Sequence, residues 1–208
     1  MVTGASHGIG AETAAVLARA GVHVLAVSRS GPIVADLTRP EEIDRLVERI
    51  GNAPDFIINM AGMFHLARIE DTDPRAFDAL LALNVGAPFR LIRAFLPAMR
   101  ARRSGHIVTI GSVADHVAFP ENAAYSASKY AVRGLHEVLR EELRGSPVRA
   151  TLISPAAVNT SLWDQYDARP GLPERAGMLS PLAVVDAILF ALRQAPGVSI
   201  DEIRLSHT

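Results

Sequence analysis

Tyr125 and Lys129 stand four residues apart in the stretch AAYSASKYAVRGL. In a helix this spacing places both side chains on one face, so the phenol and the amine can converge on one site. A free phenol has a pKa near ~10. Two unit charges ~5 Å apart at an effective dielectric of ~20 interact by roughly 3 kcal/mol, which corresponds to about two pKa units. We therefore expect Lys129 to lower the pKa of Tyr125 toward neutrality, where a phenol can act as a general acid or base.

A glycine-rich stretch, TGASHGIG, opens the chain and is a second candidate site. Its glycines lie between a strand end and a helix in a G-x-x-x-G-x-G spacing. Glycines let the backbone turn tightly and approach a pyrophosphate, and the N-terminus of the following helix offers N–H groups to the anion. The turn therefore predicts a dinucleotide site, built from Gly4, Ser6, His7, Gly8, Ile9 and Gly10.

The residues after the second predicted strand bear on which dinucleotide binds. Such folds usually place an acidic residue about 20 residues after the glycine turn, where it holds the adenosine ribose. Here Ser28 and Arg29 stand at that point. A serine and an arginine suit a 2′-phosphate instead, and one charge-assisted hydrogen bond is worth ~1.5–3 kcal/mol. We expect NADP(H) in preference to NAD(H), with His7 able to add a contact; the alternative is that Arg29 is a solvated loop residue.

Short β-branched runs alternate with longer helical stretches along the chain. The predicted strands are Val22–Val27, Phe56–Asn59, His106–Ile110, Arg149–Ile153 and Ser199–Leu205, after a first strand of which only Met1 and Val2 precede the glycine turn. The predicted helices are Gly8–Ala20, Pro40–Ile50, Pro74–Arg102, Tyr125–Arg144 and Pro181–Gln194. This alternation predicts one α/β domain over residues 1–208, a doubly wound, Rossmann-type parallel sheet with helices on both faces.

The composition excludes several classes of site and of binding partner. The 208 residues carry a formal net charge of -1 and include no cysteine. Disulfides, thiolate metal sites and cysteine nucleophiles are thereby excluded, and the near-zero charge gives no reason to expect nucleic acid or a membrane surface as partner. No uninterrupted apolar run reaches the ~18 residues of a membrane span, no signal peptide opens the chain, and the histidine spacing suggests no metal site. We expect a cytoplasmic protein.

Six motifs together resemble the short-chain dehydrogenase/reductase family, in its simple rather than its extended branch. They are TGASHGIG at 3–10, NMAG at 59–62, LALNVG at 81–86, IGS at 110–112, YSASK at 125–129 and SPAAVNT at 154–160. The resemblance implies hydride transfer between a nicotinamide and a carbonyl or secondary alcohol. It implies that Tyr125 is the general acid or base, that Lys129 also holds the nicotinamide ribose, that Ser112 binds the substrate oxygen and that Asn84 completes the catalytic set.

Asn84 carries a further expectation because Pro88 follows it by four residues. Proline has no N–H, so the carbonyl of Asn84 loses its helical partner. The resemblance implies that this carbonyl holds a water that leads protons from Lys129 to solvent. The alternative is a proline kink that serves packing only.

The resemblance also implies further contacts with the dinucleotide. Asp36 and Leu37 would lie near the adenine, and Thr160 would contact the carboxamide end of the nicotinamide. Alanine replaces the usual glycine after Pro155, so the floor beneath the nicotinamide is expected to differ slightly. The remaining implied contacts are Asn59, Ala61, Gly62 and Val158.

One segment departs from the family pattern, and another is the segment that varies within the family. The stretch between Arg29 and Asp36 is too short for the helix that the family places there, which loosens the argument from Arg29. Residues 161–180 are the segment that varies for substrate. Within it, Trp163 and Tyr166 form either a lid over the pocket or an exposed helix packed on a partner. Other candidates to line the substrate site are Phe64, His116 and Phe119.

An NADPH-dependent carbonyl reductase, reversible as an alcohol dehydrogenase, is the leading hypothesis. One alternative is an NAD-linked dehydrogenase of a ring diol. Another is a non-catalytic dinucleotide sensor on the same fold, because fold alone does not determine function. The resemblance also implies a homodimer or homotetramer that pairs the helices at 74–102 and 125–144.

Overall fold

Seven parallel strands form one sheet in the order β3-β2-β1-β4-β5-β6-β7 in the computed structural model, which describes residues 1–166 and 171–207. The strands are β1 (Val2–Thr3), β2 (Ala26–Ser28), β3 (Ile33–Val34), β4 (Phe56–Asn59), β5 (His106–Ile110), β6 (Arg149–Pro155) and β7 (Glu202–Leu205). The order reverses at β1, which pairs with β2 on one side and β4 on the other. The predicted doubly wound parallel sheet is therefore confirmed, and its switch point lies at the carboxyl end of β1.

Helices cover both faces of this sheet. They are α1 (Gly8–Arg19), α2 (Pro40–Ile50), α3 (Pro74–Leu81), α4 (Ala87–Ala101), α5 (Ala123–Glu142) and α6 (Pro181–Leu192). Neighbouring strand residues point to opposite faces, so Ile57 lies in a core cluster with α2, α4 and α5, whereas Ile58 lies in a second cluster with α1 and α6. The sheet is thus buried on both sides, as its nearly continuous apolar strands predicted.

The edge of the sheet at β2 and β3 differs from the prediction. The second strand begins at Ala26 rather than Val22, because β1, its only inner neighbour, offers two residues to pair with. β3 was not predicted, since two residues make too short a pattern. Parallel strands usually need a crossover of about a dozen residues, but here residues 29–32 alone join β2 to β3, which agrees with the expected loss of a helix.

The helix predicted over residues 74–102 is interrupted. A π-helix, Ala82–Gly86, joins α3 to α4, and the N–H of Ala87 bonds to the carbonyl of Ala82, five residues back. Pro88 explains the wider turn, because its ring would clash with the carbonyl of Asn84 in a regular α-helix. π-turns within helices are frequent at functional sites.

The segment Pro74–Ala101 is long and apolar enough, by length and composition, to cross a membrane, with an 18-residue window of mean hydropathy 1.4. Its buried side chains, which include Leu91, Phe95 and Met99, belong to the first core cluster. Helices that pack in a protein core can be equally long and apolar, so length and composition alone do not make this segment a membrane span.

Candidate active site

The π-helix places Asn84 where it connects two other segments of the site. Its Oδ1 accepts a hydrogen bond from the N–H of Met63 (2.8 Å), and its Nδ2 donates to the carbonyl of Met63 (3.0 Å) and to the hydroxyl of Ser128 (2.9 Å). Ser128, fully buried on α5, donates in turn to the carbonyl of Tyr125 (2.7 Å). Asn84 therefore ties the loop after β4 to the first turn of α5.

Ser112 follows β5 and caps a short 3-10 helix, Val113–Asp115. Its Oγ accepts a hydrogen bond from the N–H of Ala114 (3.2 Å), and its own N–H donates to Oδ2 of Asp115 (3.2 Å). The Ser112 side chain is also a hydrogen-bond partner of the Tyr125 phenol. A hydroxyl has one proton and two lone pairs, so Ser112 can serve Ala114 and still bind an oxygen beside Tyr125.

Tyr125 and Lys129 converge as the helical spacing predicts, but the expected pKa effect is wrong. Burial raises the pKa of Tyr125 to about 12, although the hydrogen bond from Ser112 opposes the rise. Burial lowers the pKa of Lys129 to about 8, and its Nζ donates to the carbonyl of Ile110 (2.9 Å), 5.6 Å from the centre of the Tyr125 ring. Burial therefore dominates the pKa of both groups, and Lys129 is not among the groups that lower the pKa of Tyr125.

An aromatic cluster lies beside the phenol ring of Tyr125. Phe64 lies edge-on to Tyr125 at 4.8 Å between ring centres, and it also contacts Trp163 at 4.9 Å and Tyr166 at 5.4 Å. The hydroxyl of Tyr166 accepts a hydrogen bond from the N–H of Leu66 (3.3 Å), which joins the segment after β6 to the loop after β4. Trp163 and Tyr166 therefore reach Tyr125 through Phe64, and the choice between a lid and a helix packed on a partner stays a prediction.

The other two candidates to line the substrate site, His116 and Phe119, are not among the aromatic contacts of Phe64. His116 hydrogen-bonds to Asp115 through Nδ1 (2.6 Å). Phe119 is largely exposed. Of the segment 161–180, residues 167–170 lie outside the described residues.

The glycine turn is a close-packed backbone cradle. A Cβ at Gly10 would lie 2.1 Å from the carbonyl oxygen of Gly4, and one at Gly4 would lie 2.8 Å from Cα of Ala61. Gly8 has a positive φ of 57° and faces the Thr160 methyl. His7, the N-cap of α1, makes no side-chain capping hydrogen bond; Ser6 precedes it, and Ile9 lies in the first turn. This backbone leaves N–H groups for an anion at the switch point of the sheet.

The NMAG segment is held against this cradle by Thr3. The Thr3 hydroxyl accepts hydrogen bonds from the N–H groups of Met60 (2.9 Å) and Ala61 (3.0 Å). Asn59 is buried at the end of β4, and its amide has no hydrogen-bond partner among the described residues. Buried polar groups normally have a partner, so an unpaired amide and a cradle too tight for side chains fit a dinucleotide at this edge.

The residues expected around the adenosine lie at the ends of β2 and β3. Thr3 pairs with Val27, so Ser28, which ends β2, and Arg29, which follows it, lie beside the start of the glycine turn. The Ser28 hydroxyl accepts a hydrogen bond from the N–H of Ser30 (3.3 Å), whereas Arg29 is exposed. Asp36 accepts hydrogen bonds from the hydroxyl and N–H of Thr38, which hold its pKa below the ordinary value.

The side chain of Leu37 is buried in the first core cluster, so only its backbone can face a ligand. On the opposite side of the cradle, Pro155 ends β6 and Val158 is buried in the second core cluster. Gly62 lies against Asn84, since a Cβ at Gly62 would lie 3.3 Å from Oδ1 of Asn84. All the predicted site residues thus lie at the end of the sheet where the strands have their carboxyl ends. Within the described part of the chain, no group of three His, Asp or Glu side chains could hold a metal ion.

Known proteins match both the sequence and the fold. The family model for short chain dehydrogenases matches residues 29–170. An uncharacterized oxidoreductase of Staphylococcus saprophyticus is 34% identical over 227 residues, which cover 97% of this chain and 92% of that relative. The chain belongs to the short-chain dehydrogenase/reductase family.

Solved structures of this family superpose closely on the dehydrogenase. A metagenomic short-chain oxidoreductase in complex with NADP has a TM-score of 0.81 and 30% identity, covering 100% of this chain and 95% of that one. A 4-hydroxyisoleucine dehydrogenase complexed with NADH has a TM-score of 0.87 and 25% identity, covering 100% and 96%. The chain is therefore an oxidoreductase, and the resemblance of its six motifs to this family is confirmed.

Sequence reasoning missed several polar residues of the site in this dehydrogenase. Thr3 and Ser128 appeared only as members of small-residue motifs. Asp115 and Ser154 carried no signal, because the bonds that join Asp115 to Arg133 and to Ser154 span 18 and 39 residues of the chain. One signal was available: Arg133 follows Tyr125 and Lys129 at the same four-residue interval on one face of α5.

Proposed function

We propose that this dehydrogenase transfers hydride between NADP(H) and a carbonyl/secondary-alcohol pair. The observation that carries the proposal is the convergence of Ser112, Tyr125 and Lys129 beside the glycine cradle, with Asn84 hydrogen-bonded beneath them. A dinucleotide sensor has no need of a phenol, a hydroxyl and an amine arranged around one point. The convergence therefore favours an enzyme over the sensor.

The nicotinamide, when bound, supplies or accepts the hydride. The residues of the chain manage the proton and the oxygen. Ser112 holds the substrate oxygen against the Tyr125 hydroxyl, which gives its proton to that oxygen in reduction and takes it back in oxidation. Lys129 holds its amine 5.6 Å from the centre of the phenol ring, where it can bind the ribose. The glycine turn and the start of α1 would hold the pyrophosphate.

The preference for NADP(H) rests on Ser28 and Arg29. In β2 and in the turn after it, residues 26–32, there is no carboxylate to hold ribose hydroxyls. The nearest acidic side chain along the chain, Asp36, is already hydrogen-bonded to Thr38. The guanidinium of Arg29 is exposed, and it is suited to a 2′-phosphate. Similar structures bind NADP in one case and NADH in another, so the side chains of this chain must decide.

The aromatic cluster beside Tyr125 supports a small-molecule substrate with an apolar group beside its carbonyl. Phe64, Trp163 and Tyr166 offer ring surface to such a group. Arg175, the nearby cation, bonds to Asp164 (2.7 Å) and to the carbonyl of Thr160 (2.6 Å), so its charge is already compensated. An apolar ketone therefore fits this face better than a carboxylate or phosphate.

We also propose a homodimer or homotetramer built through α4 and α5. Exposed apolar side chains lie on both helices, namely Phe89, Tyr130 and Val138. Such side chains are frequent at subunit interfaces. The mass of the protein in solution, measured by light scattering for wild type and Val138→Glu, tests this proposal.

Titration with NADPH and NADH, followed by fluorescence, tests the proposed function. Wild type, Arg29→Ala and a control, Arg19→Ala, are compared; Arg19 lies at the far end of α1 from the glycine turn. We expect wild type to bind NADPH more tightly, and Arg29→Ala to lose roughly tenfold or more for NADPH, as one charge-assisted hydrogen bond implies. Binding of NADH should barely change, and Arg19→Ala should match wild type.

Two results would overturn parts of the proposal. Equal affinity for both dinucleotides in wild type would remove the phosphate role of Arg29 and favour the NAD-linked diol dehydrogenase. Binding without turnover of any ketone or alcohol, in a panel where Tyr125→Phe behaves like wild type, would favour the sensor.

A further inference from the structure

A fully buried carboxylate lies directly behind the serine of the site. Oδ2 of Asp115 accepts hydrogen bonds from the N–H of Ser112 (3.2 Å) and the hydroxyl of Ser154 (2.5 Å). Oδ1 accepts from Nε and Nη2 of Arg133 (3.1 and 2.9 Å) and contacts Nδ1 of His116 (2.6 Å). An ionised carboxylate only accepts, so His116 donates its Nδ1 proton. Asp115 is completely inaccessible to solvent.

We propose that Asp115 is a positioning residue, which fixes the backbone of Ser112 and thereby aims the Ser112 hydroxyl at Tyr125 and the substrate oxygen. This inference rests on the proposed function, because the hydroxyl it aims is the one assigned to the substrate. Nothing in the six family motifs calls for a carboxylate at this position.

The turn after β5 is built around this carboxylate. A Cβ at Gly111 would lie 2.4 Å from Oδ2 of Asp115 and 2.6 Å from Oγ of Ser154. Ser112 and Asp115 also form a capping box. In it, the side chain of each residue bonds to the backbone at the other end of the 3-10 turn. These contacts couple Asp115 to Ser112 and to the end of β5. A shift of Asp115 therefore displaces Ser112.

Arg133 and Glu202 hold Asp115 in place. Arg133 stands on the same face of α5 as Tyr125 and Lys129, and its guanidinium bonds to Glu202 of β7 through Nη1 (3.2 Å) and Nη2 (2.7 Å). One buried carboxylate would cost several kcal/mol without a counter-charge, so Arg133 is what permits Asp115 to be ionised. This series of hydrogen bonds, from Ser112 and Ser154 through Asp115 and Arg133 to Glu202, links β5, α5, β6 and β7 at the end of the sheet that carries the site.

The charges of this cluster also bear on the phenol. Burial opposes ionisation of Asp115, but its hydrogen bonds from Ser154, His116 and Arg133 hold its pKa below the ordinary value. The negative charge of Asp115 raises the pKa of Tyr125 and of Lys129. Among the described residues, the charged and titratable groups that face Asp115 directly or through Arg133 are His116, Arg133, Glu202 and Glu137.

A double-mutant cycle in the full-length protein tests the positioning role. Reduction of 2,2,2-trifluoroacetophenone by NADPH is measured for wild type, Asp115→Asn, Ser112→Ala and the double variant. We expect Asp115→Asn to lower kcat by roughly tenfold or more while KM and the Kd for NADPH change by less than about twofold. In the Ser112→Ala background the same change should lower kcat by less than about twofold. An equal loss in both backgrounds would overturn the proposal.

Amide hydrogen exchange provides a readout that does not need activity. The N–H of Ser112 is donated to Asp115, so its exchange should speed up by about tenfold or more in Asp115→Asn, while amides of Ile107 and Val108 stay protected. A control, Asp201→Asn, changes a surface carboxylate paired with Arg140 and should leave Ser112 unchanged. Unaltered protection of Ser112 in Asp115→Asn would contradict the role.

The two readouts separate failure of the inference from failure of the proposed function. If wild type binds NADPH but reduces no ketone, the exchange measurement still tests Asp115. If Asp115→Asn does not fold, Glu202→Gln weakens the support for Arg133 without removing the buried carboxylate. That variant should lower kcat in the same direction by a smaller factor, and an unchanged kcat would then count against the proposal.

Discussion

Asn84 and Ser128 are joined by a hydrogen bond of 2.9 Å from the amide nitrogen to the hydroxyl oxygen. Since the Ser128 hydroxyl donates to the carbonyl of Tyr125, the bond connects the π-helix to the turn of α5 that carries the phenol. The position of Tyr125 therefore depends on a residue 41 places earlier in the chain, through a serine that the sequence presents only as a small residue.

Replacement of Ser128 by alanine should lower both stability and activity. It leaves a buried N–H of Asn84 without its partner, which costs about 1–3 kcal/mol. We expect a fall of that size in the free energy of unfolding, measured with urea, and a lower kcat. The matched control is Ser126→Ala on the same helix, whose buried hydroxyl has no partner among the described residues. Equal losses in the two variants would contradict the role of the Asn84–Ser128 bond.

Gly10→Ala should abolish binding of the dinucleotide. The new methyl group would meet the carbonyl oxygen of Gly4 at 2.1 Å, so the cradle must open. Binding is measured by NADPH fluorescence. The control is Gly134→Ala, an exposed position of α5 where a Cβ meets nothing within 4 Å. Alanine there should stabilise the helix by roughly 0.5–1 kcal/mol and leave binding intact. A Gly10→Ala protein that binds NADPH normally would show that the cradle is not the site.

The phenol of Tyr125 should stay protonated in the protein alone. Its pKa of about 12 means that no phenolate from Tyr125 appears below about pH 10 in the ultraviolet difference between wild type and Tyr125→Phe. Oxidised nicotinamide is cationic, so NADP⁺ should move the phenolate signal to lower pH, whereas NADPH should not. A Tyr125 phenolate near pH 8 without dinucleotide would restore the idea that Lys129 alone tunes the phenol.

Acid should destabilise the protein through two buried histidines. Burial lowers the pKa of His106 and of His136 to about 4, against 6.5 for the unfolded chain. A lowered folded-state pKa gives stability that is complete above pH 6.5 and is lost as the pH falls toward 4. At pH 5 each histidine should cost about 2 kcal/mol relative to pH 7.

Urea unfolding at pH 7 and pH 5 measures that loss. His106→Asn should show a smaller loss than wild type, and the exposed control His23→Gln should show the full loss. The low pKa of Glu202, about 2 because of Arg133, acts only below about pH 4.5 and does not enter this window. A full acid loss in His106→Asn would contradict the prediction.

Trp163→Leu should reduce preference for substrates with an aromatic ring. The centres of the Trp163 and Phe64 rings lie 4.9 Å apart, and Phe64 contacts Tyr125; an aromatic pair is worth about 0.5–1.5 kcal/mol beyond its buried area. We expect the ratio of kcat/KM for acetophenone to that for 2-butanone to fall by roughly two- to tenfold. A comparable substitution outside the aromatic cluster, Leu182→Ala, should leave the ratio unchanged, and an unchanged ratio in Trp163→Leu would remove the substrate preference.

Much of the fold and the candidate site follows from local sequence. The boundaries of α2 agree with the prediction at both ends, because proline starts this helix and glycine follows it. The glycine turn and the Tyr125–Lys129 pair are local as well, since a helix or a tight turn fixes their relative placement within ten residues. Parallel βα units then bring all of these motifs to one edge of the sheet.

The rest depended on partners that are distant in the chain. β2 begins at Ala26 because β1 is short, and no pattern within residues 22–28 records the length of β1. The rise in the pKa of Tyr125 comes from burial by the whole fold, which reverses the effect expected from one neighbouring amine.

The sequence by itself determined the family and the sheet and predicted the set of reactive side chains, because the motifs that carry this information are each shorter than one helix or one turn. Only the tertiary structure decided that Asp115 bonds to Ser112 and Ser154, that Arg133 joins it to Glu202, and that an aromatic cluster lies beside the phenol. The physical reason is that buried charges and hydrogen bonds gain their strength from surroundings supplied by several strands and helices at once.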